Sequence, residues 1–177
     1  MKTDSISYEI NELPVPIPGH ESSTHLYLIQ SDKTALIDTG PAATSGVLLD
    51  RLQEIKVNPE QIDFILCTHI HLDHLGGLSR VLRAMPQAKV IVHPRGVAHL
   101  HQPQKLWQAS LEISGQVALN YGQPEGVAAE RLTAAREGQC IDLGGICLEV
   151  LYTPGHAAHH LSYIDRKFGN LFAGESA

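Results

Sequence analysis

The stretch Ile62–Gly77 reads IDFILC-THIHLDHLGG: an apolar run of strand length, then four ligand-type side chains within six positions, then a Gly-Gly turn. The apolar part, Ile62 to Cys67, is short and continuous, as expected of a strand buried on both faces. Directly after it, beyond Thr68, stands His69-x-His71-x-Asp73-His74. Imidazole nitrogen and carboxylate oxygen suit a borderline divalent ion such as Zn²⁺. The spacing does not suit one helix face: His69 and Asp73 share a face at i, i+4, and His71 points away. A loop leaving a buried strand can aim all four into one space, and Gly76-Gly77 lets the backbone turn into the next helix. Asp73 also fits the role of N-cap for that helix, and a helix N-terminus beside it favours an anionic group.

Outward from this stretch the chain alternates strands and helices. Strands are expected at His25–Gln30 and Thr34–Asp38 and a helix from there to about Lys56, ended by Asn58-Pro59. After the Gly-Gly turn come a helix whose inner face is Leu75, Leu78, Val81, Leu82 and Met85, stopped by Pro86, and a strand at Lys89–His93. The alternation argues for a layered α/β fold. Residues 95–137 read as an insertion-like helical hairpin, with Leu106, Ser110, Leu111 and Ser114 on one spacing. Strands return at Ile146–Tyr152, Leu161–Ile164 and Leu171–Ala173.

Two later features repeat the pattern of a ligand-type residue after an apolar strand. Tyr152-Thr153-Pro154-Gly155-His156 places His156 on a rigid turn, and Phe172-Ala173-Gly174-Glu175 places a carboxylate after a glycine. Strand ends of open α/β sheets are where ligands collect. His99-Leu100-His101 repeats H-x-H inside an expected helix without a following carboxylate, and reads as solvated or pocket-lining.

Composition bounds the reading. The chain has 177 residues, 43% hydrophobic and 18% charged, with net charge -6, 15 Gly and 10 Pro, which describes a globular domain rather than a disordered chain or coiled coil. The acidic balance argues against nucleic acid as a partner. No window approaches the run of apolar residues that a membrane-spanning helix needs, and Met1–Ser5 lead into no apolar stretch of a signal peptide. The three cysteines, Cys67, Cys140 and Cys147, are scattered in apolar runs and read as small core residues rather than a disulfide framework. A cytoplasmic protein is the expectation.

H-x-H-x-D-H, the later T-P-G-H, the strand-Gly-acid ending at Glu175 and the early S-T-H-L-Y-L-I and A-L-I-D-T-G segments together resemble the metallo-β-lactamase superfamily, over almost the whole chain. The branch of greatest similarity holds hydroxyacylglutathione thioesterases and lactonases. The resemblance implies an αββα sandwich, two sheets packed between helices. It also implies a hydrolase that cleaves an ester, thioester or lactone of a small molecule through a metal-bound hydroxide. His69, His71 and His156 would hold a first metal, Asp73 and His74 a second, and Glu175 stands where the family usually has a bridging Asp. Asp73 would also orient the nucleophile or pass a proton to the leaving group, and Asp38 would orient ligand side chains. Zinc is the expected metal, as one or two ions, with iron or manganese as alternatives. The family has a further αβ stretch and a final metal-binding His downstream of the Glu175 position, so the domain is expected to lack its C-terminal portion. An uncovered sheet edge there would favour a homo-oligomer. Two rival readings are an iron-dependent oxidoreductase similar to persulfide dioxygenases and a degenerate metal-binding module without turnover.

Overall fold

Three short runs, β3 (Thr34–Ile37), β4 (Ile62–Leu66) and β5 (Lys89–Val92), lie parallel at the heart of the first sheet. A computed structural model describes residues 8–176, so the reading of Met1–Ser5 falls outside the described residues. Side chains alternate faces along a strand, and here both faces are apolar. Leu36, Ile65, Val90 and Val92 enter one core, and Ala35, Ile37, Leu66 and Ile91 enter the other. That double burial is why these runs carry no polar alternation.

Around this centre, β2 (Ser23–Gln30) and β1 (Glu9–Pro16) add antiparallel on one side. On the other side β6 (Leu132–Ala134) adds parallel, giving the order β1-β2-β3-β4-β5-β6. Pro14 and Pro16 are tolerated because β1 is an edge strand. The second sheet is antiparallel, ordered β10-β9-β8-β7, from β7 (Cys140–Asp142), β8 (Cys147–Tyr152), β9 (Leu161–Asp165) and β10 (Asn170–Phe172). Its Ile141, Leu148, Val150, Leu161, Tyr163 and Phe172 meet the first sheet in the inner core.

The outer core lies between the first sheet and α1 (Ser45–Glu54), α2 (Leu72–Leu75), α3 (Leu78–Val81) and α4 (Pro94–His101), through Leu48, Leu52, Leu75, Leu78, Val81 and Leu100. Beyond α4 come α5 (Gln104–Ser114) and α6 (Gln116–Tyr121). No helix among the described residues packs into the core of the second sheet.

Besides adding the strands β1 and β7, the frame differs from the sequence reading in three places. The helix expected after Gly-Gly is two short pieces, because Gly76 and Gly77 press against the Gly40–Ala42 loop. A Cβ on Gly76 would lie 2.4 Å from the Leu72 carbonyl oxygen, and the Gly77 N–H donates to the Gly40 carbonyl at 2.9 Å. The segment expected to be helical to residue 137 is α-helical only to Tyr121, keeps one 3₁₀ turn at Ala129–Arg131, and then extends the first sheet with Leu132–Ala134. Three residues are too few for their periodicity to declare a strand.

The third difference concerns the cysteines. Cys67 is buried and free, as expected. Cys140 and Cys147 are bonded to each other across the β7–β8 hairpin. Ile141 and Leu148 take the inward positions, so the flanking cysteines face outward and meet on the exposed side. The bonded pair corrects the reading of all three cysteines as small core residues, which holds for Cys67 alone. No helix among the described residues is long and apolar enough to cross a membrane.

The two sheets are pinned together near the C-terminal end of β4. The Tyr163 hydroxyl, fully buried, donates to the Cys67 carbonyl at 2.8 Å, and the Leu161 N–H donates to the Thr68 carbonyl at 2.7 Å. Tyr163→Phe removes the first of these bonds and leaves that buried carbonyl without this donor. The expected result is a loss of about 1–3 kcal/mol of stability with the fold retained, read by denaturant unfolding. An unchanged midpoint would show that the bond contributes nothing.

Candidate metal centre

Every candidate side chain leaves the C-terminal end of a strand. Asp38 comes after β3, the His69–His74 run after β4, His156 after β8 and Glu175 after β10. Parallel pairing of β3 with β4 puts Asp38 beside Thr68, and the sheet-to-sheet bonds above bring the ends of β8 and β10 over the same spot.

Asp38 is the hub. Its backbone has φ 59, a left-handed conformation that Asp and Asn tolerate better than most residues. Its carboxylate is almost fully buried and accepts three hydrogen bonds. They come from the Thr68 N–H at 2.8 Å, the Thr68 hydroxyl at 2.6 Å and His74 Nδ1 at 2.9 Å. The Thr68 hydroxyl has a single proton, committed to an acceptor-only carboxylate, so its contact with His69 Nδ1 at 3.0 Å has the imidazole as donor. Both His69 and His74 thus carry their protons on Nδ1, turning the Nε2 atoms towards the centre. His69 Nε2 is buried and has no hydrogen-bond partner.

Two donor groups converge there. His69, His71, His156 and Glu175 each offer one ligand atom, all within 4.8 Å of one another. Asp73, His74 and Glu175 form a second such group. Glu175 faces both: Oε2 lies 2.6 Å from His156 Nε2 and 3.6 Å from His69 Nε2, while Oε1 lies 3.6 Å from His74 Nε2. His71 presents Nδ1, 2.9 Å from His156 Nε2. The spread is of the order set by two metal–nitrogen bonds of about 2.0–2.1 Å each. An orphaned imidazole nitrogen among neutral nitrogens and a carboxylate is a donor set that fits a divalent cation.

Electrostatics points the same way. Burial, and then the neighbouring His74 and His71, push the His69 pKa far below its ordinary value. Burial and His156 push His71 down as well, so both rings are held neutral, the state that ligates. Burial also opposes charge on His74, but the bond to Asp38 and the nearby Asp73 and Glu175 outweigh it and raise its pKa to about 9. His74 thus sits in the most anionic part of the site, where a cation is favoured.

All six candidate ligands lie together in these two groups, with Asp38 behind them. Asp73 does not cap the helix. His71 occupies the N-cap position without a side-chain bond, and Asp73 stands in the first turn with its carboxylate 3.9 Å from His74 Nε2. His99 and His101 belong to neither group, and His101 Nδ1 is bonded to the Val127 carbonyl at 2.9 Å. Tyr121 lines a cavity at the centre, whereas Trp107 lines a depression away from it.

The residues that sequence reasoning missed are the braces. His160 is buried; its Nδ1 contacts the Thr153 hydroxyl at 2.8 Å and its Nε2 accepts the Glu175 N–H at 3.1 Å. Both ring nitrogens are spent, so His160 holds the His156 turn and the Glu175 turn together. Gly174, at φ +57, fits against it: a Cβ there would lie 2.7 Å from His160 Nε2 and 2.9 Å from Thr68 Cβ. Only its place after T-P-G-H marks His160 in the sequence.

Comparison with known proteins agrees with this architecture. The family model of the metallo-beta-lactamase superfamily matches residues 20–176. The chain belongs to that superfamily, and its fold is the metallo-β-lactamase fold. It is 34% identical over 168 residues to the metallo-beta-lactamase fold-containing protein ST1585 of Sulfurisphaera tokodaii, covering 92% of this chain and 59% of that protein. A hydroxyacylglutathione hydrolase of Aeromonas salmonicida is 28% identical over 156 residues, covering 88% of this chain and 47% of the hydrolase. Among solved structures, the archaeal superfamily protein ST1585 aligns with TM-score 0.75 at 28% identity, covering 89% of this chain and 60% of that one. TTHA1429 of Thermus thermophilus aligns with TM-score 0.70 at 28% identity, covering 93% and 58%. The chain thus spans about half to three fifths of the length of these relatives.

If Asp38 sets the two imidazoles, Asp38→Asn should weaken divalent metal binding by roughly 10–100-fold, because an amide can donate where a carboxylate only accepts. Asn tolerates the same left-handed backbone, which keeps the turn intact. Competition against a chelating dye reads the affinity. Binding equal to the parent's would remove Asp38 from this role.

Proposed function

We propose that this chain is a metal-dependent hydrolase that cleaves an ester, thioester or lactone bond of a small molecule. The observation that carries the reading is His69 Nε2: buried, unpartnered, stripped of its proton by the Thr68–Asp38 relay and aimed at three further donors. A buried imidazole lone pair costs free energy unless a hydrogen-bond donor or a cation meets it, and a metal ion would meet that need. His69, His71, His156 and Glu175 would hold one ion, and Asp73, His74 and Glu175 a second. Zinc suits this nitrogen-rich set.

A divalent ion so held supplies a Lewis acid for the substrate carbonyl and lowers the pKa of water to near neutrality. The chain's own residues do the rest. His69 and His71 stay neutral and His156 adds a third imidazole, so these three ligands bring no negative charge, while the single carboxylate of Glu175 reaches both groups. Asp73, half-buried and bonded to no donor, is free to orient a water and to carry a proton on a carboxylate oxygen towards the leaving group. Asp38 and His160 fix the donors and are not consumed.

The hydroxyacylglutathione hydrolases among the relatives support the thioester arm of this reading. Removal of metal with a chelator should abolish hydrolysis across a panel of thioesters, esters and lactones, and zinc should restore it. His69→Ala should lower both metal content and kcat/KM by more than the roughly 100-fold expected for loss of a supporting residue. Full turnover after chelation would contradict the proposal, as would iron-dependent oxygen uptake without hydrolysis.

A further inference from the structure

The centre opens on two cavities that differ in chemistry and share Asp73. One, of about 550 Å³, mixes the polar Ser23, Thr24, His25 and Asn170 with the apolar Ile10, Ile17, Leu171 and Phe172. The other, of about 360 Å³, lies between α5, α6 and the His71–Asp73 loop. That volume is at the lower end of the roughly 300–1,000 Å³ typical of small-molecule sites.

The second cavity is walled mainly by hydrocarbon, with Ser110, Ser114 and Tyr121 as the hydroxyl-bearing residues of its helical wall. α5 contributes Leu106, Ala109 and Ile113, and α6 contributes Val117 and Ala118. These positions repeat at helical spacing, yet no residue of α5 is buried, and Ile113 is 85% exposed. Leu106 packs in part against the outer core, while Ala109 and Ile113 farther along the stripe face the cavity. Ser110, on the same wall, spends its hydroxyl on the Leu106 carbonyl at 2.9 Å. Neither helix places a Lys, Arg, Asp or Glu on this wall. A charged or peptide-like group would lose its hydration here with no ionic partner in the helical wall. Polar groups occur near the centre, where His71, Asp73 and His159 line the cavity, and His159 Nδ1 is buried without a partner.

We infer that the α5–α6 cavity receives the aliphatic acyl chain of the substrate, making medium-chain acyl thioesters, esters or lactones the preferred class, with the polar leaving group in the larger cavity. The inference rests on the hydrolase reading above and assigns its substrate. One water is consumed, the acyl C–S or C–O bond breaks, and a carboxylic acid and a thiol or alcohol are released; a lactone yields the hydroxy acid. Ala109 sets the room available, because a larger side chain there would fill the space the acyl chain needs.

The test uses metal-loaded protein and acetyl, butanoyl, hexanoyl and octanoyl thioesters of one thiol. The kcat/KM should rise roughly fourfold for each methylene the cavity buries and level off when it is full. Ala109→Trp should cut the octanoyl-to-acetyl ratio at least about tenfold. Gln108→Trp, equally bulky on a neighbouring position that does not line the cavity, should keep the ratio. Calorimetry of the same proteins with butanoate and octanoate gives a readout without turnover: octanoate should bind more tightly, and Ala109→Trp should erase the difference. A flat chain-length profile, or a ratio that Ala109→Trp leaves unmoved, overturns the inference while hydrolysis itself stands. Dependence on the length of the thiol instead of the acyl group overturns the assignment of the two arms. Graded octanoate binding lost in Ala109→Trp but no turnover of any substrate supports the cavity's role and overturns the hydrolase reading.

Discussion

The site hangs on one buried carboxylate. Asp38 is 3% exposed, and burying an ion so deeply is unfavourable unless every oxygen is bonded. Its bonds go to the Thr68 N–H, the Thr68 hydroxyl and His74, and through Thr68 it reaches His69. A single group therefore fixes the start of the β4 loop and the tautomers of two imidazoles. The left-handed backbone at Asp38 is part of this arrangement, because it ends β3 and turns the chain in one residue.

The rest of the frame can be understood as a means of keeping Asp38 in register. β3 and β4 are parallel and apolar on both faces, so a slip of either would expose buried side chains. The loop 39–40 is tied to α2, with the N–H groups of Thr39 and Gly40 both donating to the His74 carbonyl at 2.8 Å. From the opposite side, Tyr163 and Leu161 bind the end of β4 to the second sheet. His160 and Gly174 then carry that rigidity to His156 and Glu175. The donors converge because each hangs from a strand end whose position a core determines.

Much of this was legible in the sequence because its signals are local. The apolar run before Thr68, the crowding of His69, His71, Asp73 and His74, and the turns before His156 and Glu175 each declare themselves within a few residues. The features that escaped depend on contacts between distant segments. The break between α2 and α3 comes from the approach of Gly76 and Gly77 to the Gly40–Ala42 loop, some 35 residues earlier in the chain. The pairing of Cys140 with Cys147 comes from hairpin register and outward facing, not from composition. β6 is a strand because β5 offers it a partner. His160 shows no role in the sequence and is a brace in the fold, since only the fold brings the Glu175 N–H to its ring.

Whether Asp38 assigns the protons of His69 and His74 can be read from long-range ¹H–¹⁵N NMR of the imidazole nitrogens in the metal-loaded protein. Both rings are expected to carry a proton on Nδ1 and none on Nε2, with the Nε2 resonances displaced by the metal. A proton on Nε2 of either ring, with coordination through Nδ1, would contradict that assignment.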